Sequence, residues 1–355
     1  EITLFRGQWA GRPNSALCAL SWLVFLLPLL IIIAALAVDP FVVYARYGSR
    51  EYTLEERLLT QTRMLWHYVS WLSWPDIRAM GFHHDDIVNS DGFLAPITTL
   101  LGLLAWGGLL LGSWVLRRRL PLLLFAVLFF LVAHSMESSF LPLEMVYEHR
   151  NYLPSVGVMV LFSFAIVNLC ERYRGMRLKI ALTAVIASLF LLTATRSAIW
   201  SDPLSLARFN VVNHPNSPRA NFFYGQVLFE ELTRPDSKSF DYEQKKQWII
   251  NARSHFLRMH ELSPTDFAAL VMLHQIDSGF FPEMPEGRRW MPAMLELADN
   301  RLVQASDRTA IDFLIEFSLT EPGLKDLIQV EELLQILLER YPNCLLYTSD
   351  AADDN

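Results

Sequence analysis

Two long stretches without a charged side chain constrain this chain more than any other feature. They are Ser15 to Val38, which holds the run Leu29-Leu-Ile-Ile-Ile-Ala-Ala-Leu-Ala-Val38, and Phe93 to Leu116. About 20 apolar residues suffice to cross the hydrocarbon of a bilayer, where a helix satisfies its own backbone polar groups. Three further apolar runs follow, from Leu120 to Met136, Pro154 to Cys170 and Leu178 to Thr195. The expectation is five transmembrane helices. Pro28 should kink the first, Gly107, Gly108 and Gly112 give the second a small-residue contact face, and Lys179 can snorkel from the end of the fifth.

Hydrophobic residues make up 52% of the 355, and the excess is concentrated before Arg196. The rest reads as ordinary soluble protein, so one membrane part and one aqueous part are expected. The net charge of −7 lies mostly in the second part and argues against a nucleic-acid surface. Cys18 and Cys170 sit inside apolar runs, Cys344 lies near the end, and the three give no disulfide framework. Residues 344–355 read as a non-native tail, and the chain starts at Glu1 without Met, so both ends are expected to be truncations.

Orientation follows from the short basic loops. Arg117-Arg118-Arg119 joins spans two and three, and Arg172, Arg174, Arg177 and Lys179 lie between spans four and five. Both loops should be cytoplasmic. Alternation then places 39–92, 137–153 and everything after Arg196 on the exterior side.

The first exterior segment contains a helical pattern from Leu54 to Val69. Leu54, Leu58, Leu65, Val69 and Leu72 share one face, and Glu56, Thr60, Arg63 and His67 share another. The helix should lie at the membrane surface, its polar stripe facing either water or a cavity lined by Arg63 and His67. Further on, His83, His84, Asp85 and Asp86 could act as metal ligands or as an acid/base pair, but adjacent ligands in one loop point first to local hydrogen bonding and no metal is expected. The second exterior segment sets Glu137, Glu144, Glu148, His149 and Arg150 at the mouth of spans three and four. Ionisable groups there need partners or a function. If 143–150 is helical, Glu144 and Glu148 share a face, and Arg150 could clamp a phosphate. The alternative is a salt-bridge network fixing helix ends.

Glu148-His-Arg-Asn-Tyr152-Leu-Pro-Ser155 resembles the Glu-Arg-x-x-Tyr-Leu-Pro-Ser signature of the transmembrane and tetratricopeptide-repeat O-mannosyltransferase family and its bacterial relatives, with His149-Arg150 standing where animal members have Arg alone, so that either of the two can take the Arg role. Leu59-Thr-Gln-Thr-Arg63, with Trp66 and Tyr68 behind it, resembles that family's Leu-Thr-x-x-Arg segment, and His84-Asp85-Asp86 with Pro96 resembles its bacterial members. The likeness runs from about Ala16 to Pro264. It implies a GT-C glycosyltransferase that uses a polyprenyl-phosphate-linked sugar as donor and no certain cofactor. The family's catalytic acidic residue lies in a preceding membrane half, so the catalytic residue is unknown here and the fragment is expected to be inactive alone.

Residues 1–196 are thus expected to be the C-terminal half of a GT-C-like membrane domain, and 197–343 a TPR-like helical domain, all-α throughout. Pro203 suits a first helical turn, and His214 to Pro218 interrupts, with Ser217 able to cap. Ala252, Phe256 and Pro264 fit the second half of a repeat unit, and Gly225 takes the small-residue position before it. Residues 233–242 insert a loop, and helical spacing continues over 290–303, 310–319 and 330–341. The domain offers a groove for an exported peptide acceptor or else braces the membrane part.

The expected function is sugar transfer from the lipid-linked donor to an exported acceptor, at a bacterial inner membrane with the helical domain in the periplasm. Arg63, His149 and Arg150 would stabilise the departing phosphate, with Glu148 orienting Arg150. His67, Glu144 and Tyr152 complete the candidate donor site. The partners would be the bilayer, the lipid-linked sugar and the acceptor. A non-enzymatic envelope scaffold and a lipid-linked polysaccharide ligase or polymerase are the alternatives.

Overall fold

The computed structural model describes residues 52–173, 175–233, 241–283, 289–300, 307–320 and 323–340, with isolated positions before residue 52. Most of the expected first span, 15–38, lies outside the described residues, as do the inserted loop at 234–240 and the tail at 344–355. The described residues form α-helices, with one two-residue antiparallel pairing of Gln8–Trp9 against Arg12–Pro13. They divide into two compact units, one of Glu1–Met80 with Ile87–Arg196 and one of Gly81–Asp86 with Ser197–Asn355.

In the first unit α1 (Leu54–Ser73) is followed by α2 (Thr98–Val115), α3 (Pro121–His134), α4 (Tyr152–Arg172) and α5 (Met176–Trp200). Three helices, Thr98–Arg118, Glu148–Arg172 and Met176–Trp200, are long and apolar enough to cross a membrane. Almost none of α4 and none of α5 is covered by protein. Two expected spans come out differently. The second begins at Thr98, not Phe93, because residues 91–97 form bends and turns ahead of the helix. The third is a helix of 14 residues, about 21 Å long at 1.5 Å per residue, short of the ~30 Å hydrocarbon core.

Thr53 starts α1 with a capping box, its hydroxyl accepting from Glu56 N while the Glu56 carboxylate accepts from Thr53 N. The buried side of α1 is Arg57, Gln61, Met64, Tyr68 and Trp71, with Thr60 beside them. Steps of four, three, four and three keep these on one face. The leucine stripe expected to carry burial does so only in part. Leu65, Val69 and Leu72 pack at the edge of the core, and Leu58 is exposed.

Against α2, Trp66 Nε1 donates to Gly102 O and Trp106 Nε1 donates to Thr62 O, both at 3.1 Å. The two indoles stack with centroids 4.4 Å apart. A Cβ on Gly102 would stand 3.2 Å from Thr62 O, so the small residue permits this approach. By contrast Gly107, Gly108 and Gly112 face open space, and the contact surface expected of them lies one turn earlier. Gly157 of α4 sits similarly close to Ala126 and Phe129 of α3.

The second unit holds α6 (Pro203–Asn213), α7 (Pro218–Thr233), α8 (Tyr242–Leu262), α9 (Phe267–Phe280), α10 (Trp290–Asn300), α11 (Asp307–Ser318) and α12 (Leu327–Arg340). Local chemistry sets the boundaries. Asp202 caps α6 by accepting from Ser205 N at 2.8 Å ahead of Pro203, and Ser217 Oγ accepts from Ala220 N at 2.8 Å ahead of α7. One core joins Phe256, Phe267, Leu273, Met294, Leu314 and Leu333.

α7 and α8 run antiparallel, since Asn221 meets His255 and Leu232 lies by Gln244 and Trp248. A Cβ on Gly225 would lie 2.9 Å from the buried Phe256 ring. Gly225→Ala recovers about 1 kcal/mol of helix propensity but must displace the buried Phe256 ring, at about 1–3 kcal/mol, and should be destabilising by up to about 2 kcal/mol. Gly225→Val adds bulk with little such gain and is expected to cost about 1–3 kcal/mol, read as a lower thermal midpoint.

Burial pushes the imidazoles of His255 and His260 down, with Arg289 adding to the effect at His260. Both are therefore held neutral while the unfolded chain protonates near the ordinary value of about 6.5. Below that value the unfolded state binds more protons, so the stability these residues contribute is present above about pH 6.5 and is lost as pH falls from there. The melting midpoint should drop between about pH 7.5 and about pH 5.5, and His255→Gln should flatten the drop.

Candidate functional site

After α3 the chain runs through residues 135–147 without regular helix, so its carbonyls need donors from elsewhere. Arg57 serves more of them than any other side chain. Its side chain is fully buried, Nε donates to Ser139 O at 2.9 Å, Nη2 to Glu137 O at 2.7 Å, and Nη1 to Leu143 O. Nη1 also lies 3.4 Å from Tyr52 Oη. One helical turn on, Gln61 Nε2 donates to Met145 O at 2.7 Å. Tyr68 Oη then donates to Tyr147 O at 3.0 Å and accepts from Tyr147 N at 3.1 Å. Asn151 Nδ2 returns a bond to Tyr68 O at 2.9 Å. Burial pushes Arg57 down and the Tyr68 phenol up. A guanidinium starts high enough to stay charged, and a raised phenol stays a neutral donor.

Around this clamp lie three ion pairs: Arg50 with Glu144 at 2.8 Å, Arg150 with Glu137 at 3.2 Å, and Arg196 with Glu148. Arg150 is almost wholly buried, donates to Glu144 O at 2.5 Å and lies over the Tyr147 ring at 5.0 Å. Four guanidinium groups, with Arg57, thus face three carboxylates. The arrangement differs from the helix considered for 143–150. Only Glu148–Asn151 forms a helical turn, of the tight 3-10 kind, because Arg57 binds the carbonyls of 137–144. Glu144 therefore pairs with Arg50 and Glu148 with Arg196.

The other sequence candidates spread out from this cluster. His149 is exposed and stacks on Tyr147 with centroids 5.2 Å apart, and Tyr152 stands exposed on the first turn of α4. Arg63 lies on the opposite side of α1 from Gln61, where Nη1 donates to Val88 O at 2.9 Å and Ser90 Oγ at 3.2 Å. His67 is exposed, tilted against Trp71. Glu144, Glu148, His149 and Arg150 are brought together, whereas Arg63 and His67 are not joined to them.

His84, Asp85 and Asp86 belong to the second unit. Asp85 accepts from Ser217 Oγ and from Arg219 N (2.9 Å), placing a carboxylate at the positive N-terminal end of α7. Asp86 pairs with His214 Nδ1 at 2.9 Å. Burial pushes the Asp86 carboxyl up, but the hydrogen bond and charge of His214 hold it below its ordinary value. His84 packs edge-on to His214 at 5.4 Å. These contacts are those of a folded loop tied to a helix start. Among the described residues no group of three or more His, Cys, Asp or Glu is placed to hold a metal ion.

Sequence reasoning missed Arg57, Arg50 and Arg196. A signal existed for the first: Arg57, Gln61, Met64, Tyr68 and Trp71 share a helical face that mixes long polar and aromatic side chains, a composition suited to binding irregular backbone. The chain matches no family model, no curated protein and no solved structure.

Proposed function

We propose that this chain is part of a membrane glycosyltransferase of GT-C type, moving a sugar from a polyprenyl-phosphate donor to an exported acceptor. The observation that carries the reading is the guanidinium-rich cluster at the head of α4, built on Glu148-His-Arg-Asn-Tyr-Leu-Pro-Ser155 and flanked by apolar helices. A lipid phosphate that gains charge as its sugar departs is stabilised by fixed cations in a site of low polarity. Arg117 lies over Trp114 and Arg172 over Tyr173 at the far ends of α2 and α4, as snorkelling cations and interfacial rings do, which supports a cytoplasmic side there. The cluster then faces the periplasm of a bacterial inner membrane. The second unit serves as a TPR-like solenoid in the periplasm.

In this reading Arg57 and Arg150 build the mouth, and His149 and Tyr152, both exposed, meet the donor. The chain reconstituted in nanodiscs should bind a polyprenyl-phosphate sugar in preference to the matching polyprenol. His149→Ala with Tyr152→Ala should weaken that binding about tenfold while leaving the thermal midpoint unchanged. Equal retention of phosphate lipid and polyprenol by the unaltered chain sinks the proposal.

A non-enzymatic scaffold of the cell envelope is the second reading, favoured by one observation. Arg150, the foremost phosphate candidate, is already engaged by Glu137 and the Glu144 carbonyl. Such a scaffold would show no discrimination between the two lipids.

A further inference from the structure

The second unit holds a groove of about 430 Å³, within the roughly 300–1,000 Å³ usual for ligand sites. Its two walls are α6 and α8, and α7 forms the floor. Arg208 and Val212 stand on the α6 wall, Asn251, Ser254 and Arg258 on the α8 wall, and Tyr224 on the floor. Asn251, Ser254 and Arg258 follow one another at steps of three and four, which aligns them along one face of α8. Asn221 and His255 close the base through a 2.9 Å hydrogen bond. That pair is settled internally, because Asn221 Nδ2 also donates to Pro215 O and Ser217 O.

Charge is what distinguishes this groove. The chain carries −7 overall, yet two arginines face the groove from opposite walls and no carboxylate lines it. Arg208 is exposed and makes no ion pair or hydrogen bond among the described residues. Arg258 is ion-paired with Glu261 and donates to Asn216 Oδ1, each at 3.0 Å, so that Arg208 carries the groove's uncompensated positive charge and Arg258 can exchange Glu261 for a ligand carboxylate. The Asn251 amide makes no side-chain hydrogen bond among the described residues and offers one donor and one acceptor group, which matches a peptide unit. Val212 and Tyr224 supply apolar surface between the polar groups.

We propose that this groove binds a carboxylate-bearing peptide segment, with Arg208 and Arg258 pairing its acidic side chains and Asn251 its backbone. Guanidinium groups suit carboxylates through their forked donors. The mixed apolar and amide lining favours a peptide over a simple anion. This inference holds whether or not the chain transfers sugar.

The test uses the full chain in a neutral detergent, with a fluorescein-labelled peptide of Glu, Leu and Ala and its Gln counterpart as probes, read by anisotropy. The Glu peptide should bind at least about tenfold more tightly than the Gln peptide and weaken as salt rises. Arg208→Glu with Arg258→Glu should remove that preference, while Lys at both positions keeps most of it, with helical circular dichroism unchanged. Should the double charge reversal unfold the unit, Arg208→Gln, which disturbs no described partner, carries the test with a several-fold loss. Equal binding of the two peptides, or no effect of the arginine variants, overturns the proposal. Preferential capture of anionic phospholipid vesicles, lost in the same variants, would assign the groove to lipid and overturn it as well.

Discussion

Arg57→Leu is expected to unlatch residues 137–147 from α1 and to destabilise the first unit by roughly 3–5 kcal/mol. Leucine keeps the hydrophobic stem but removes the donors that reach the carbonyls of Glu137, Ser139 and Leu143, of which Leu143 O keeps the Tyr52 hydroxyl. Each buried acceptor left without a donor costs about 1–3 kcal/mol. Relief from burying a charge returns part of this, which is why the total stays below the sum. Arg57→Lys should also be damaging, because an ammonium cannot spread its donors over carbonyls arranged for a planar fork. Thermal unfolding in detergent measures the loss, and limited proteolysis should show new cleavage within 135–147. An unchanged midpoint together with an uncut loop would refute the clamp.

The second large effect is expected at Asp277 of α9. Its carboxylate is fully buried, receives Arg253 Nε at 2.6 Å and Nη2 at 3.0 Å, and accepts from Trp290 Nε1 at 2.8 Å. Three helices, α8, α9 and α10, meet on one charged group. Asp277→Ala would take away the carboxylate that Arg253 and Trp290 share, at an expected cost of about 3–5 kcal/mol. Arg253→Met combined with Asp277→Leu replaces both partners by apolar groups, and should cost clearly less than Asp277→Ala alone. If the double variant were no more stable than the single one, the loss would lie in packing and not in the broken charge pair. Chemical denaturation followed by circular dichroism separates these cases.

How much of this was legible in the sequence depends on the range of the interaction. Apolar runs over α2, α4 and α5 could be read because bilayer suitability is a property of local composition. The starts of α6 and α7 could be read because Asp202, Pro203, Ser217 and Pro218 act on the turns beside them. The polar cluster could be read only as a list of residue types. Arg57 and its acceptor at Glu137 are separated by 80 positions, and no local pattern announces which carboxylate takes which arginine. The leucines of α1 misled for a related reason. Leu58 marks a surface, whereas the inward face is chosen by what lies opposite, a strip of irregular backbone that calls for donors.

The glycines of α2 carry the same lesson. Gly107, Gly108 and Gly112 have the spacing of a helix contact and meet nothing within 4 Å, while Gly102, outside that pattern, takes the close approach of Thr62. Small residues permit contact, and a partner at the right height decides where it occurs. At α7 the small residue expected at Gly225 does meet a neighbour, the Phe256 ring of the antiparallel α8.

The stacked rings of Trp66 and Trp106 give the molecule a built-in optical ruler. Two indoles 4.4 Å apart and tilted by 29° couple their electronic transitions. Docking of α1 on α2 should therefore write a near-ultraviolet dichroism band that vanishes when the helices part. Separation of this joint can be followed without any label, ahead of the loss of helix itself.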